Sequence, residues 1–179
     1  RTGLEVGPGS YPPRSGETDP DVAVVVFADF ECDYCRKLAA PLAELDEEYG
    51  ERVAVYFRDF PLGIHPDAYG AHEAARCAQA QGRFWAMHDV LYAHQKDLAE
   101  ARLHDHAREA GLDLSEFARC LDSGRARPAI EFDREAGLKG VPAYYINGRS
   151  HSGARSTDSL RSLIEPALVG ETLKGGEAP

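Results

Sequence analysis

Apolar positions with two different periodicities divide the chain into strands and helices. Residues 22–27 form an apolar, β-branched run that predicts a buried strand, and residues 53–57 alternate and predict a second one. Between them, apolar residues recur at spacings of three and four and predict a helix over residues 35–49. A strand, a helix and a second strand in this order predict a right-handed parallel βαβ unit.

A long helical tract follows the second strand. Helical patterns cover about residues 65–81, 84–95, 98–110, 114–121 and 126–136. Two short runs at 143–146 and 149–151 then flank Asn147-Gly148, which predicts a hairpin with a type I′ turn. A closing helix is predicted over 156–168. The order indicates an α/β, thioredoxin-like fold (βαβ…ββα) with an inserted helical domain.

This order also divides the chain into segments. Residues 1–20, rich in Gly, Pro, Ser and Thr, predict an extended arm or tether with one short edge strand near 4–6. The thioredoxin-like domain is assigned to 21–63 and 138–170, and the helical insert to 64–137. Residues 171–179 are expected to be a flexible tail.

Two cysteines, Cys32 and Cys35, lie where the first strand gives way to a helix. Backbone N–H groups at a helix N-terminus are unpaired and the helix dipole is positive there. We therefore expect a thiolate to be stabilised at Cys32, with a lowered pKa. Cys35, one turn on, is close enough to form a disulfide with it. Half of a zinc site has the same spacing, but the strand-to-helix context favours dithiol–disulfide exchange.

Composition narrows the functional classes. The net charge of −10 and the pI near 5.1 argue against a nucleic-acid-binding surface. The longest wholly apolar run is only a few residues, so no membrane span is predicted. Four cysteines fit two disulfides and an oxidising compartment. No signal-peptide pattern is present at the N-terminus, so the protein is either cytosolic or a mature or trimmed form, and Arg1 in place of Met favours the second. We expect a mature protein of the periplasm or cell envelope that lacks its signal or anchor.

Five segments together resemble the DsbA-like thiol–disulfide oxidoreductases of the thioredoxin superfamily. They are FADFECDYC (27–35), FRDFPL (57–62), residues 65–92, FARCLDSG (117–124) and GVPAYYINGR (140–149). The resemblance implies that Cys32 is the attacking, solvent-exposed thiol and Cys35 the buried resolving one. It implies that Pro142 is a cis-proline beside the disulfide. Val141 would then offer its backbone to an extended substrate peptide, with Tyr34 and Asp33 as further substrate-binding residues.

The other two cysteines are Cys77, in AARCA, and Cys120, in FARCL. On the residues alone, they are either two buried thiols packed as small apolar groups or a structural disulfide. The resemblance favours the disulfide. It further implies client proteins with cysteine thiols, and a membrane or soluble redox partner that recycles the active-site disulfide. We expect a monomer without a cofactor, a metal or a nucleic-acid partner.

The sequence departs from the relatives in three respects. Asp33 and Tyr34 stand between the cysteines. The negative charge of Asp33 should partly oppose the lowering of the Cys32 pKa by the helix N-terminus. We expect a pKa of about 4–6.5 for Cys32, between the values known for strongly oxidising and for reducing proteins of this kind. Val26 stands where relatives often bury a carboxylate, so the proton acceptor for Cys35 is expected to be water, Asp29 or Glu31. Val141 occupies a position that is threonine in many relatives.

Several functions remain open at this stage. The first is a dithiol oxidase that donates the Cys32–Cys35 disulfide to clients, and a reductase or isomerase would use the same residues. Metal handling through Cys32 and Cys35 is a second class, although zinc usually needs four ligands and only two are local. The third is a redox-inactive domain that binds partners in the groove around Pro142.

Overall fold

A four-stranded sheet organises the molecule in the computed structural model, which describes residues 11–16 and 18–170. Its strands are β1 (Val22–Ala28), β2 (Val53–Asp59), β3 (Ala143–Ile146) and β4 (Arg149–Ser152), in the spatial order β2-β1-β3-β4. β1 is parallel to β2 and antiparallel to β3, and β3 is antiparallel to β4. The edge strand expected near 4–6 and the tail at 171–179 lie outside the described residues.

Seven α-helices occupy the described part of the chain: α1 (Asp33–Tyr49), α2 (Ala68–Gln79), α3 (Phe84–Ala93), α4 (Glu100–Glu109), α5 (Leu114–Ser123), α6 (Arg127–Arg134) and α7 (Thr157–Leu168). α2 to α6 lie between β2 and β3, so the predicted fold class with its helical insert is confirmed. α2 begins at Ala68 rather than at position 65 because Pro66 disfavours the helical conformation of the residue before it.

The hairpin between β3 and β4 has the turn that the sequence predicts. Asn147 and Gly148 have φ of 44° and 83°, and a type I′ turn requires positive φ at both central residues. The Asn147 side chain also accepts a hydrogen bond from Ala23 N and donates one to Asp21 O. The turn thereby fixes the hairpin against the start of β1.

Both faces of the sheet are buried at β1 and β2, which explains why the first strand is a continuous apolar run. Val24 and Val26 face the main core, which includes the buried faces of α1, α2, α3 and α7. Val25 and Phe27 point to the opposite face, into a smaller cluster with Ala54 and Tyr56. None of the described helices is long and apolar enough to cross a bilayer.

Residues 11–14 of the N-terminal arm pack against the core, which corrects the prediction of a tether for this short stretch. Tyr11 is 1% exposed and stacks on Phe84, with ring centroids 3.5 Å apart. Its hydroxyl donates to the carboxylate of Asp59, and the Arg14 backbone N–H donates to Val55 O. A single aromatic residue among glycines and prolines has no periodicity, so the sequence pattern did not indicate this anchor.

A buried network of charges connects the insert to the sheet. Arg76 on α2 donates to Asp59 on β2 (2.6 Å) and to Asp133 on α6 (2.9 Å). Arg58 also donates to Asp133, at 2.7 Å. Each of these four side chains is less than 10% exposed. Because buried charges are stable only when paired and hydrogen-bonded, the network fixes how α2 and α6 pack on β2.

A disulfide between Cys77 and Cys120 joins α2 to α5 inside the insert. The two cysteines are 43 positions apart, and both are buried. A cross-link of this span removes conformational freedom from the unfolded chain.

Replacing both Cys77 and Cys120 with alanine should lower the free energy of unfolding by about 4 kcal/mol, by the chain-entropy estimate for a loop of this length. Urea denaturation of the oxidised proteins measures the change. Equal midpoints for the double variant and the parent would contradict a stabilising role. The active-site dithiol should react normally in the folded variant.

Candidate active site

The site forms where β1 ends and α1 begins. Cys32 is the N-cap residue of α1, and its sulfur accepts a hydrogen bond from the backbone N–H of Cys35, at 3.4 Å. The Cys32 backbone N–H donates to Asp29 O, which closes the turn that precedes the helix. The thiol of Cys32 therefore occupies the place of the oxygen that usually caps a helix.

Both thiols are largely covered. Cys32 is 7% exposed and Cys35 is 2% exposed, so the expectation of a solvent-exposed Cys32 needs correction. The segment before β3 provides the cover, since Val141 O lies 4.0 Å from the sulfur of Cys32. The peptide bond between Val141 and Pro142 is cis. Only a small part of the Cys32 surface is therefore accessible to the sulfur of a second molecule that reacts with it.

The two thiols have opposite pKa shifts. A hydrogen bond from the Cys35 thiol lowers the pKa of Cys32 most. Burial opposes this, and backbone N–H groups of Cys35 and Tyr34 lower the pKa further, to about 6. The pKa of Cys35 is raised strongly, first by burial and then by the hydrogen bond and the negative charge of Cys32. Near neutral pH the pair therefore holds one thiolate, at Cys32, and one thiol, at Cys35.

A groove runs beside Pro142 along the start of the hairpin, lined by residues 138–143 and by parts of β3 and β4. Pro142 is buried, whereas Tyr34 on the first turn of α1 is 62% exposed. The structure thus brings Cys32, Cys35, Val141 and Pro142 together. Tyr34 and Asp33 lie on the solvent side of the same helix end.

The thioredoxin family profile matches residues 10–166 of this sequence. The chain belongs to the thioredoxin family. Its fold is also that of DsbA-like proteins: the thiol-disulfide exchange protein alpha-DsbA2 from Wolbachia pipientis superposes with a TM-score of 0.78 at 21% identity, covering 87% of this chain and 86% of that one. The DsbA-like resemblance of the sequence is therefore confirmed.

Other solved thioredoxin-family structures agree. A thioredoxin-like oxidoreductase from Silicibacter pomeroyi has a TM-score of 0.78 at 25% identity and covers 98% of this chain and 99% of its own. The catalytic domain of Proteus mirabilis ScsC has a TM-score of 0.74 at 24% identity, with 93% of each chain covered. This thioredoxin-family chain thus has the same fold as these proteins, and it carries the pair Cys32 and Cys35 at the start of α1.

Curated relatives of the chain are longer proteins. The Na(+)/H(+) antiporter NhaA 3 from Salinispora tropica is 37% identical over 171 residues, which is 92% of this chain and 26% of the antiporter. NhaA 1 from Salinispora arenicola is 35% identical, over 89% of this chain and 25% of that protein. This thioredoxin-family chain spans about a quarter of the length of these relatives.

The carboxylate that raises the pKa of Cys32 is Asp29, not Asp33 as the sequence led us to expect. Asp33 points to solvent and forms an ion pair with Lys96, at 3.1 Å. This exposed pair neutralises the charge of Asp33, whereas Asp29 is completely buried beneath the thiols. Asp33 itself lies on the exposed surface at the start of α1.

Asp29 and Glu31, expected as proton acceptors for Cys35, have other structural partners. The carboxylate of Asp29 accepts hydrogen bonds from the N–H groups of Glu31 and Leu62 and contacts His65 Nδ1, at 2.8 Å. Glu31 accepts from the N–H of Asp67. Both carboxylates therefore tie the active-site turn to the segment that leads into α2.

Gln95, just after α3, is a site residue that sequence reasoning missed. Its side-chain amide donates to Phe30 O (2.8 Å) and to Cys32 O (2.9 Å), and its carbonyl accepts from Arg36. It is 4% exposed. A lone amide about sixty positions from its partners leaves no pattern in a sequence, so no signal could have found it.

One cluster in the described ranges has the composition of a metal site: His94, His106 and Glu109, with ligand atoms within 4.8 Å of one another. The two imidazole rings stack nearly in parallel, so their in-plane lone pairs do not converge on one point. His94 contacts Glu109 instead, at 2.9 Å, and His106 Nε2 contacts Asp97 O. The cluster includes neither active-site cysteine, so it adds nothing to the metal hypothesis.

Cys32 should be alkylated before Cys35 in the reduced protein. Because the thiolate is the nucleophile, the rate should rise with pH through a midpoint at about 6, the pKa of Cys32. Iodoacetamide kinetics with mass mapping of the labelled peptide measures both quantities. Initial labelling of Cys35, or a midpoint near the ordinary thiol value of about 8.5, would contradict this assignment.

Proposed function

We propose that the chain is a protein thiol–disulfide oxidoreductase that acts mainly as a dithiol oxidase. The observation that carries the proposal is the contrast between Cys32, with its pKa lowered to about 6, and the buried Cys35, with its pKa raised. A client thiolate attacks the sulfur of Cys32, and Cys35 leaves and takes up a proton. A second client thiol then displaces Cys32, so the client gains a disulfide and the protein holds two thiols.

The difference between the pKa values of the two cysteines also bears on whether the protein oxidises or reduces its clients. A stabilised Cys32 thiolate favours the reduced form, which makes the disulfide a better oxidant and Cys32 a better leaving group. A pKa of about 6 lies between those of the strong oxidant (~3.5) and the reductant (~7) of this chemistry. We therefore expect a reduction potential between about −120 and −270 mV.

The client would bind as an extended peptide across the groove beside Pro142. Val141 would offer backbone hydrogen bonds, and its carbonyl lies 4.0 Å from the Cys32 sulfur. Tyr34 would add an exposed aromatic surface, and Asp33 a charge balanced by Lys96. Main-chain pairing of this kind accepts many client sequences.

An oxidising, extracytoplasmic compartment suits this function. The Cys77–Cys120 disulfide supports that location, since disulfides persist in such compartments. A periplasmic thioredoxin-like protein from Salmonella enterica serovar Typhimurium has the same fold, at 24% identity and a TM-score of 0.71. We further propose that the protein works as a monomer, without a cofactor, and that a separate membrane or soluble redox partner recycles its disulfide.

The deciding measurement is the equilibrium of the Cys32–Cys35 couple with glutathione, together with oxidation of a reduced, unfolded ribonuclease. A potential in the upper half of the expected range, with catalysed ribonuclease oxidation, supports the oxidase. A potential near about −270 mV, with catalysed reduction of insulin, would support the reductase instead. Absence of both catalysed reactions would contradict the oxidoreductase proposal and favour a redox-inactive binding domain.

A further inference from the structure

A cavity of about 20 Å³ is lined in part by the buried Cys35 and lies between α1, the sheet and α3. A single water molecule needs about 10–15 Å³ of such space. Val26 and Leu38 are among its apolar lining residues, and His88 and Tyr92 on α3 also line it. Val26, at the position where relatives often bury a carboxylate, is thus an apolar lining residue, and the imidazole-bearing His88 lines the same cavity.

The imidazole of His88 has a defined orientation. Its Nδ1 lies 2.8 Å from the carboxylate of Asp89, which in turn accepts two hydrogen bonds from Arg14, at 2.9 and 2.7 Å. Because a carboxylate only accepts, Nδ1 carries the proton and Nε2 keeps a free lone pair. The hydrogen bonds of His88 among the described residues involve Nδ1 and not Nε2.

The surroundings of His88 make it unusual for a histidine that only fills space. The residue is 5% exposed and lies within 6 Å, between ring centroids, of five aromatic side chains: Phe30, Phe57, Phe84, Trp85 and Tyr92. A polar ring in so apolar a site is costly unless its hydrogen-bonding groups have partners. Asp89 satisfies one nitrogen, and a water in the cavity would satisfy the other.

We propose that His88, through one water in this cavity, accepts the proton of Cys35 when Cys35 resolves a mixed disulfide at Cys32. This inference rests on the proposed function. The Cys35 sulfur attacks the sulfur of Cys32, the bond between Cys32 and the client breaks, and the client leaves as a thiolate. The Cys35 proton passes to the water as the water gives one to Nε2. In the reverse direction, His88 returns the proton to Cys35 as it leaves.

The chemistry of the neighbouring groups favours this route. Burial raises the pKa of Cys35, so its thiol needs a nearby base to become a nucleophile. Burial lowers the pKa of His88, which keeps the imidazole neutral and able to accept a proton near pH 7. The imidazolium formed in the step would face the Asp89 carboxylate. The titratable and charged groups around His88 are Asp89 and Tyr92 on α3, Arg14 in the arm, His72 on α2, Cys35 on α1 and Tyr56 on β2.

The test isolates the resolving step. The mixed disulfide of Cys32 with glutathione is formed at low pH with excess oxidised glutathione, transferred to a series of pH values, and followed by mass spectrometry as glutathione leaves. His88→Gln should slow this release at least about tenfold at pH 7, as loss of a general base does. Its rate should then rise about tenfold per pH unit, because hydroxide must replace the imidazole. The matched control, His94→Gln, changes a partly exposed histidine outside the cavity and should keep the parent rate.

A folded His88→Gln protein with the parent rate and pH profile would overturn the proposal. If that variant does not fold, Asp89→Asn decides, because it weakens the base while keeping the side-chain shape: slower release supports the proposal, and an unchanged profile overturns it. Nitrogen-15 NMR of the parent protein gives an independent readout. A proton on Nδ1, with an imidazole pKa that differs between the oxidised and reduced protein, is expected, and a proton on Nε2 would overturn the proposal. Failure of the oxidoreductase proposal as a whole would differ, since the parent itself would then form no mixed disulfide.

Discussion

Replacing Cys32 with serine is expected to abolish catalysed thiol–disulfide exchange, with a loss of about 10³-fold or more, as for removal of other catalytic nucleophiles. The thiolate is the reacting species, and a serine hydroxyl does not ionise near neutral pH. Serine can still accept the hydrogen bond that caps α1, now made by the Cys32 sulfur. The fold should therefore survive the change, and the loss should be chemical. Ribonuclease oxidation and circular dichroism measure the two effects.

The matched control for this prediction is Cys35→Ser. It removes a thiol one helical turn away but leaves the sulfur of Cys32 in place. The Cys32 thiolate of the variant should still attack a client disulfide or oxidised glutathione and release one thiolate. The mixed disulfide should then accumulate, because no second cysteine resolves it intramolecularly. Catalysis by Cys32→Ser, or unreactive Cys32 in the Cys35→Ser protein, would show that the roles of the two cysteines are wrongly assigned.

Replacing Arg76 with leucine should lower the free energy of unfolding by about 3–5 kcal/mol, as expected when one partner of a buried ion pair is removed. Arg76 is the side chain shared by Asp59 and Asp133, which are 0% and 2% exposed. Without it, two neighbouring buried carboxylates lose their common positive charge. Urea denaturation at neutral pH measures the loss.

Arg127→Leu is the control for this change, because it has the same chemistry at the surface. Arg127 forms an ion pair with Glu73 at 2.9 Å, but its side chain is 64% exposed. Solvent-exposed pairs contribute about 0–1 kcal/mol, so this variant should unfold close to the parent midpoint. Similar losses for the two arginine variants would mean that the buried network does not hold the insert on the sheet.

The sequence predicted those parts of the fold that depend on neighbours along the chain. The first two strands, the Asn147-Gly148 turn and the cysteine pair at the start of α1 follow from local patterns, and each stands where it was expected. The pairing of Cys77 with Cys120 could be anticipated only through the family resemblance, because nothing in a single sequence selects a partner.

The rest of the site depends on residues far apart in sequence. Tyr11 reaches Asp59 across 48 positions, and Gln95 reaches Cys32 across 63. Asp33 was expected to act on Cys32 because it is adjacent in sequence, but its side chain turns to Lys96. Asp29 raises the pKa of Cys32 instead, because the end of β1 places this carboxylate beneath the two thiols. Charge effects follow burial and direction, which sequence spacing alone does not give.

The amide of Gln95 has a mechanical consequence. From the end of α3, the amide donates hydrogen bonds to two carbonyl oxygens of the active-site turn. Its own oxygen accepts a hydrogen bond from Arg36, in the first turn of α1. A rotation of the insert as a rigid body would therefore drag the turn that carries Cys32. Force applied to the helices, such as the pull of a docked partner, would be transmitted to the sulfur without any contact to it. The helical insert is thus mechanically coupled to the active-site thiol through the backbone of the turn, and does not act on it by covering it.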